Sequence, residues 1–103
     1  MALPSHTIAF DESSGALSVG ERRVVLTGTE RKLVALLLER LGEPISHQEI
    51  RDRVWGEGWD GGDEALRVAV NRLRKKIELN QRKPEVLVSV RGIGYRLLGT
   101  RSA

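Results

Sequence analysis

Residues 65–77 read ALRVAVNRLRKKI, a stretch whose side chains could do a particular kind of recognition chemistry. On a 100° helical wheel with Leu66 at zero, Val70, Leu73 and Ile77 fall within about 40° of it, and Val68, Asn71, Arg72 and Lys75 face the other way. One side packs; the other carries an arginine, an asparagine and a small apolar group. An arginine can donate two hydrogen bonds to guanine O6 and N7, an asparagine pairs with adenine, and an apolar side chain meets a thymine methyl, all within a major groove wide enough for a helix. Arg67 and Arg74 on one flank and Lys76 on the other suit phosphate contacts, which orient a helix without reading sequence. The blander alternative is a solvated basic face.

A second basic element follows. The run VSVRGIGYRL, residues 88–97, is β-prone and broken by Gly92 and Gly94, which predicts a hairpin with Arg91 near its tip. A guanidinium projecting from a tight turn suits a narrow, electronegative minor groove. An ordinary edge-strand arginine that discourages aggregation is the competing reading. The G-x-G does not predict a nucleotide site, because no helix follows it to present an N-terminus to a phosphate.

Charge distribution points the same way. Residues 1–63 hold 7 Lys and Arg against 11 Asp and Glu, net −4, whereas residues 64–103 hold 10 against 3, net +7. A field of one sign over a limited surface concentrates a polyanion. Nucleic acid is the expected partner, with an anionic membrane surface as the other polyanion to consider.

Other chemistry finds little support. With no cysteine and two histidines, His6 and His47, far apart in sequence, neither a disulfide framework, a zinc finger nor a nucleophilic dyad can be assembled. Asp60 and Asp63 lack the ligand alternation and terminal glutamate of a calcium loop. A binding protein, not an enzyme, is expected, with no metal or cofactor. No apolar run approaches the roughly 20 residues that cross a bilayer, and the N-terminus lacks a basic start followed by an apolar core. No membrane contact and a cytoplasmic location are therefore expected.

These residues must be held by a scaffold. At 103 residues, 40% hydrophobic and 30% charged, the chain predicts one folded domain over 1–103. HTIAF, GALSV and RRVVL read as short strands within about 7–26, joined by turn formers. Thr27 and Glu30 form a T-x-x-E capping box that starts a helix over about 28–41, stopped by Gly42 and Pro44. Ser46 and Glu49 form a second box, with Ile45 and Ile50 as a hydrophobic staple, for a helix over about 47–55. GEGWDGG, residues 56–62, interrupts all periodicity. Asp63 is the expected N-cap of the third helix, about 64–79, and the hairpin spans about 86–98. The class is α+β, a winged helix-turn-helix with an N-terminal antiparallel sheet, three helices and a C-terminal β-hairpin wing. Trp55 is expected in the core with its indole N–H near the surface, and Tyr95 is expected to pack its ring beneath the wing. Trp59 either folds back on the core or stands out as a partner-binding anchor.

In this order the runs LTGTERKLVALLLERLGEPISHQEI, RVWGEG, RLRKKI and VRGIGYRL resemble the OmpR/PhoB-type winged-helix effector domain of bacterial response regulators in two-component systems, over nearly the whole chain. The resemblance implies double-stranded DNA as partner and transcription regulation as role. It places a base-contacting arginine at Arg72, phosphate or base contacts at Val68, Asn71 and Arg74, the wing arginine at Arg91, and phosphate contacts at Trp55 and Tyr95. Glu64, Ala65 and Ala69 depart from the family pattern of upstream donors, and Arg67 is placed to compensate. The resemblance also implies an RNA polymerase contact through residues 56–62 with Trp59, and tandem pairing on DNA by a chain that is a monomer in free solution. A winged helix that binds protein instead of DNA is the alternative function. RNA is disfavoured, because an A-form major groove excludes a helix and paired exposed aromatics for base stacking are lacking.

Overall fold

Turn chemistry at Asp11–Gly15 starts the architecture. The Asp11 carboxylate accepts from the Ser13 backbone N–H at 3.1 Å and from its hydroxyl at 2.7 Å, while the Gly15 N–H reaches the Asp11 carbonyl at 2.8 Å. In the computed structural model, which describes residues 6–102, this turn joins β1 (Thr7–Asp11) to β2 (Ala16–Val19), and β3 (Arg22–Val25) completes an antiparallel meander. Ile8, Leu17 and Val19 point inward, as the period of two requires, and Ala9, Ala16 and Ser18 lie on the other face. A short strand absent from the sequence reading, which we number β7 (Thr100–Arg101), pairs parallel with β1, so the sheet order is β3-β2-β1-β7.

α1 (Gly28–Glu39) begins with the expected capping box: the Thr27 hydroxyl accepts from Glu30 N–H at 3.4 Å, and the Glu30 carboxylate accepts from Thr27 N–H at 2.9 Å. It ends at Glu39, ahead of the expected Leu41, and buries Leu33, Val34, Leu36, Leu37 and Leu38 at the centre of the core. β4 (Ile45–Ser46) is a second unexpected strand; it leads straight into α2 (His47–Trp55). Ser46 caps α2 through Glu49 N–H at 3.1 Å, but the Glu49 carboxylate pairs with Arg40 instead of closing a second box. Ile45 and Ile50, the expected staple, are both buried.

α3 (Glu64–Ile77) buries Leu66, Ala69, Val70, Leu73 and Ile77, the stripe read from the sequence plus Ala69. Two details of its ends differ from expectation. Asp63 sits at the N-cap in a helical conformation with no side-chain cap bond, because its carboxylate is drawn to Arg51 on α2. At the other end Glu78 turns extended, with φ −87° and ψ 141°, so the helix stops two residues short of Leu79 and leaves that side chain exposed.

β5 (Leu87–Val90) and β6 (Gly94–Leu97) form the hairpin, in register Ser89↔Tyr95 and Val90↔Gly94. Gly92 takes φ +76° at the tip, and Ile93 N–H bonds the Val90 carbonyl at 2.9 Å. β4 pairs with β6 through Ile45↔Tyr95 and Ser46↔Gly94, giving a three-stranded sheet of order β4-β6-β5. The backbones come so close there that a Cβ on Gly94 would lie 1.9 Å from the Ile45 carbonyl oxygen. Gly94→Ala must push β4 outward. Because Ile45 is fully buried and its strand is pinned between β6 and the start of α2, the expected loss is about 3 kcal/mol, at the upper end of the range for overpacking. A lower urea midpoint at unchanged slope would show it, and an unchanged midpoint would refute it.

Candidate nucleic-acid interface

The apolar stripe of α3 rests on α1 and α2, which turns the opposite face outward. Arg67, Val68, Asn71, Arg72 and Lys75 are all exposed. Val68 keeps 37% of its surface, an apolar group held in solvent between cations. Arg67 lies 4.0 Å from Glu64 one turn earlier, a solvated pair that constrains it little. Among the described residues Arg72, Lys75 and Arg91 form no salt bridge, so their charge faces water undiminished. Arg91 and Ile93 are exposed at the tip of the hairpin, with Ile93 retaining 48% of its surface.

Beside this face runs a groove between the start of α1 and α3, lined in part by Thr27, Thr29, Trp55, Ala65, Val68 and Arg72. Trp55 is half-buried at its floor and packs against the core. Trp59 stacks on Trp55, with ring centroids 5.8 Å apart and planes inclined by 21°, while keeping 38% of its surface exposed. The two readings of Trp59 thus merge: one ring face is folded back and the rest remains accessible.

Tyr95 is half-buried on β6, as expected. Its ring meets the His47 ring edge-on at 5.4 Å and lies beneath the Arg74 guanidinium at 5.7 Å. His47 also ties the tip down, its N–H donating to the Ile93 carbonyl at 3.1 Å. His47 and Ser89 were missed as neighbours of this cluster, because their proximity depends on strand pairing with the two-residue β4.

Two of the flank cations have partners within the protein that the sequence reading did not foresee. Arg74 Nε donates to the Leu87 carbonyl at 3.0 Å and Nη2 to Ser89 Oγ at 3.1 Å, so its guanidinium is engaged by the hairpin. Lys76 Nζ donates to the Glu30 carboxylate at 2.6 Å and to the Val25 carbonyl at 3.1 Å. The reason is geometric: the helix flanks face β5 on one side and the β3–α1 junction on the other, which a helical wheel alone does not reveal. Glu30 is only 3% exposed. Burial alone would raise its carboxyl, but the hydrogen bond and positive charge of Lys76, with the bonds to Thr27, outweigh it and hold the group below its ordinary value. Arg22 closes this end of α3 by donating to the Lys76 and Glu78 carbonyls at 3.4 and 3.5 Å, a cation where a helix C-terminus favours one.

The arrangement offers a convex helix bearing hydrogen-bond donors, an adjacent cationic turn, the Tyr95 ring beside Arg74 on the wing's side and Trp55 in the groove on the helix's other flank. No helix among the described residues is long and apolar enough to cross a membrane.

The profile of the family described as "Transcriptional regulatory protein, C terminal" matches residues 20–97. The protein PetR of Rhodobacter capsulatus is 39% identical over 95 residues, covering 87% of this chain and 40% of PetR. The sensory transduction protein RegX3 of Mycobacterium tuberculosis is 36% identical over 97 residues, covering 94% of this chain and 43% of RegX3. The chain therefore spans about two-fifths of the length of these relatives. Among solved structures, the DNA-binding domain of Klebsiella pneumoniae RstA in complex with the RstA box superposes with a TM-score of 0.76 at 24% identity, covering 92% of this chain and 94% of that one, a likeness of fold. The chain belongs to the family of transcriptional regulatory protein C-terminal domains, the OmpR/PhoB-type winged-helix DNA-binding domains of response regulators.

Proposed function

We propose that this domain binds double-stranded DNA sequence-specifically as the output domain of a transcription regulator, with α3 in the major groove and the wing, β5–β6, in the adjacent minor groove. The observation that carries the reading is the exposed, unbridged face formed by Val68, Asn71, Arg72 and Lys75, with Arg91 beside it on the wing. Arg72 reads a guanine, Asn71 an adenine and Val68 a thymine methyl. Arg67 and Lys75 neutralise phosphates, Arg91 enters the minor groove, and the Trp55 indole and Tyr95 hydroxyl donate to the backbone. Arg74 and Lys76, engaged within the protein, act by holding the helix and not as free phosphate ligands. The exposed part of Trp59 in residues 56–62 provides the surface for RNA polymerase, and successive copies occupy tandem sites on DNA.

Selection of bound duplexes from a random pool tests this reading directly, since it requires both binding and specificity. With four exposed cations on the contact face, doubling the salt concentration is expected to weaken affinity for the selected site about tenfold. A duplex affinity indifferent to salt, or capture of a protein partner with no shift of any duplex, would favour the protein-binding alternative.

A further inference from the structure

α3 ends at Ile77, and the chain returns to β5 through residues 79–85, of which all but the half-buried Pro84 are exposed. Val86, just after that loop, is buried in the core, and Glu78 gathers the backbone on either side of it. The Glu78 side chain is buried at 5% exposure and accepts four hydrogen bonds from three successive backbone N–H groups: Oε1 from Glu85 at 2.8 Å and Val86 at 3.2 Å, Oε2 from Val86 at 3.1 Å and Leu87 at 2.7 Å. Consecutive N–H groups pointing into one concavity make an anion nest, and here the anion is a side chain of the same chain. One turn earlier Arg74 holds the other backbone group of Leu87, its carbonyl, and reaches Ser89 two residues along the strand. Both polar groups of Leu87 are thus held by charged side chains, one from α3 and one from its C-cap. Charge-assisted bonds of this kind are short and directional, so they set a register where apolar packing would permit sliding. Arg91 lies four residues beyond Leu87 on the same strand and turn.

We propose that Glu78 is a positioning residue that sets the wing's register against α3, so that the groove contact of Arg91 depends on a carboxylate that never touches DNA. The inference rests on the DNA-binding reading above and deepens it. A buried apolar residue at 78 would leave three N–H groups without an acceptor, and glutamine would offer one acceptor oxygen while turning an N–H₂ group toward donors.

The test is a double-mutant cycle in duplex affinity, using the selected site, among wild type, Glu78→Gln, Arg91→Ala and the double variant, at a temperature well below each melting point. Each single change is expected to weaken binding about tenfold, and the pair no more than about twofold beyond either one, because the two act through one contact. Discrimination against a duplex with the base pair under Arg72 exchanged should survive Glu78→Gln, since α3 is untouched. A merely structural role would give additive losses or eroded discrimination, and either overturns the proposal. Should Arg91→Ala alone leave affinity intact, the minor-groove reading of the wing falls and this proposal with it; additive losses with an active Arg91 sink the proposal alone. A second variant is independent of whether Glu78→Gln folds: two glycines inserted between Arg82 and Lys83 lengthen the tether and leave Glu78 in place. Affinity within about twofold of wild type is expected, and a tenfold loss would show that the loop, not Glu78, sets the register.

Discussion

Lys76→Ala is expected to weaken the fold far more than the DNA complex. Its ammonium is the charge partner of Glu30, whose side chain is almost fully buried, and removing one member of such a pair leaves the other charge uncompensated. Because Lys76 itself remains about one-third exposed, the expected loss is about 2 to 3 kcal/mol, below the usual range for a fully buried pair. For a domain of this size that is a fall of roughly 10 to 20 °C in melting temperature. The same contact has a pH signature. The Glu30 carboxyl is held below its ordinary value when folded, so it contributes stability that is fully present above the unfolded pKa and is lost as pH falls through the folded one. Wild-type stability should fall off below about pH 4. Glu30→Gln should flatten that acid limb while lowering the neutral plateau. Thermal melts across pH, with duplex binding measured cold, separate the outcomes: a Lys76→Ala protein that melts like wild type and binds all DNA weakly would return this lysine to the phosphate backbone.

Arg72→Ala should do the reverse. Arg72 is exposed and without a salt bridge among the described residues, so its loss leaves the fold intact. Affinity for the selected site is expected to fall by about 1 to 3 kcal/mol, with one base position relaxed. Random duplex should lose only about twofold, the share of one phosphate-range charge. Lys75→Ala supplies the contrast, a similar loss on every sequence. Equal losses on cognate and random duplex for Arg72→Ala would remove it from the reading role.

What could be read in advance was whatever the chain writes locally. The Thr27–Glu30 box, the Ser46 cap and the stripe of Leu66, Val70, Leu73 and Ile77 each lie within a few residues, and each appears in the structure. The hairpin was legible from its glycines. β4 and β7, two residues apiece, were not, because no periodicity fits in two residues and their pairing is set by distant strands. The partners of the flank cations within the protein were hidden for the same reason. Lys76 and Glu30 are 46 positions apart, and Arg74 reaches Leu87 across 13. A wheel shows which way a side chain leaves the helix, not what waits there. Glu78 gave no signal at all, since one acidic residue after a helix looks like any solvated turn. The exposed face was the part most open to prediction, because exposure needs no partner.

The pairing of β4 with β6, together with the His47–Ile93 bond, means the hairpin is not a flap on a hinge. It shares one sheet with the lead-in to α2, and it is moored to α3 at its other edge. On the DNA-binding reading proposed above, α3 and the wing would therefore act as a fixed-jaw caliper. Where neighbouring grooves do not suit its span, compliance would have to come from the double helix, and base steps that no side chain touches would acquire a say in where it settles.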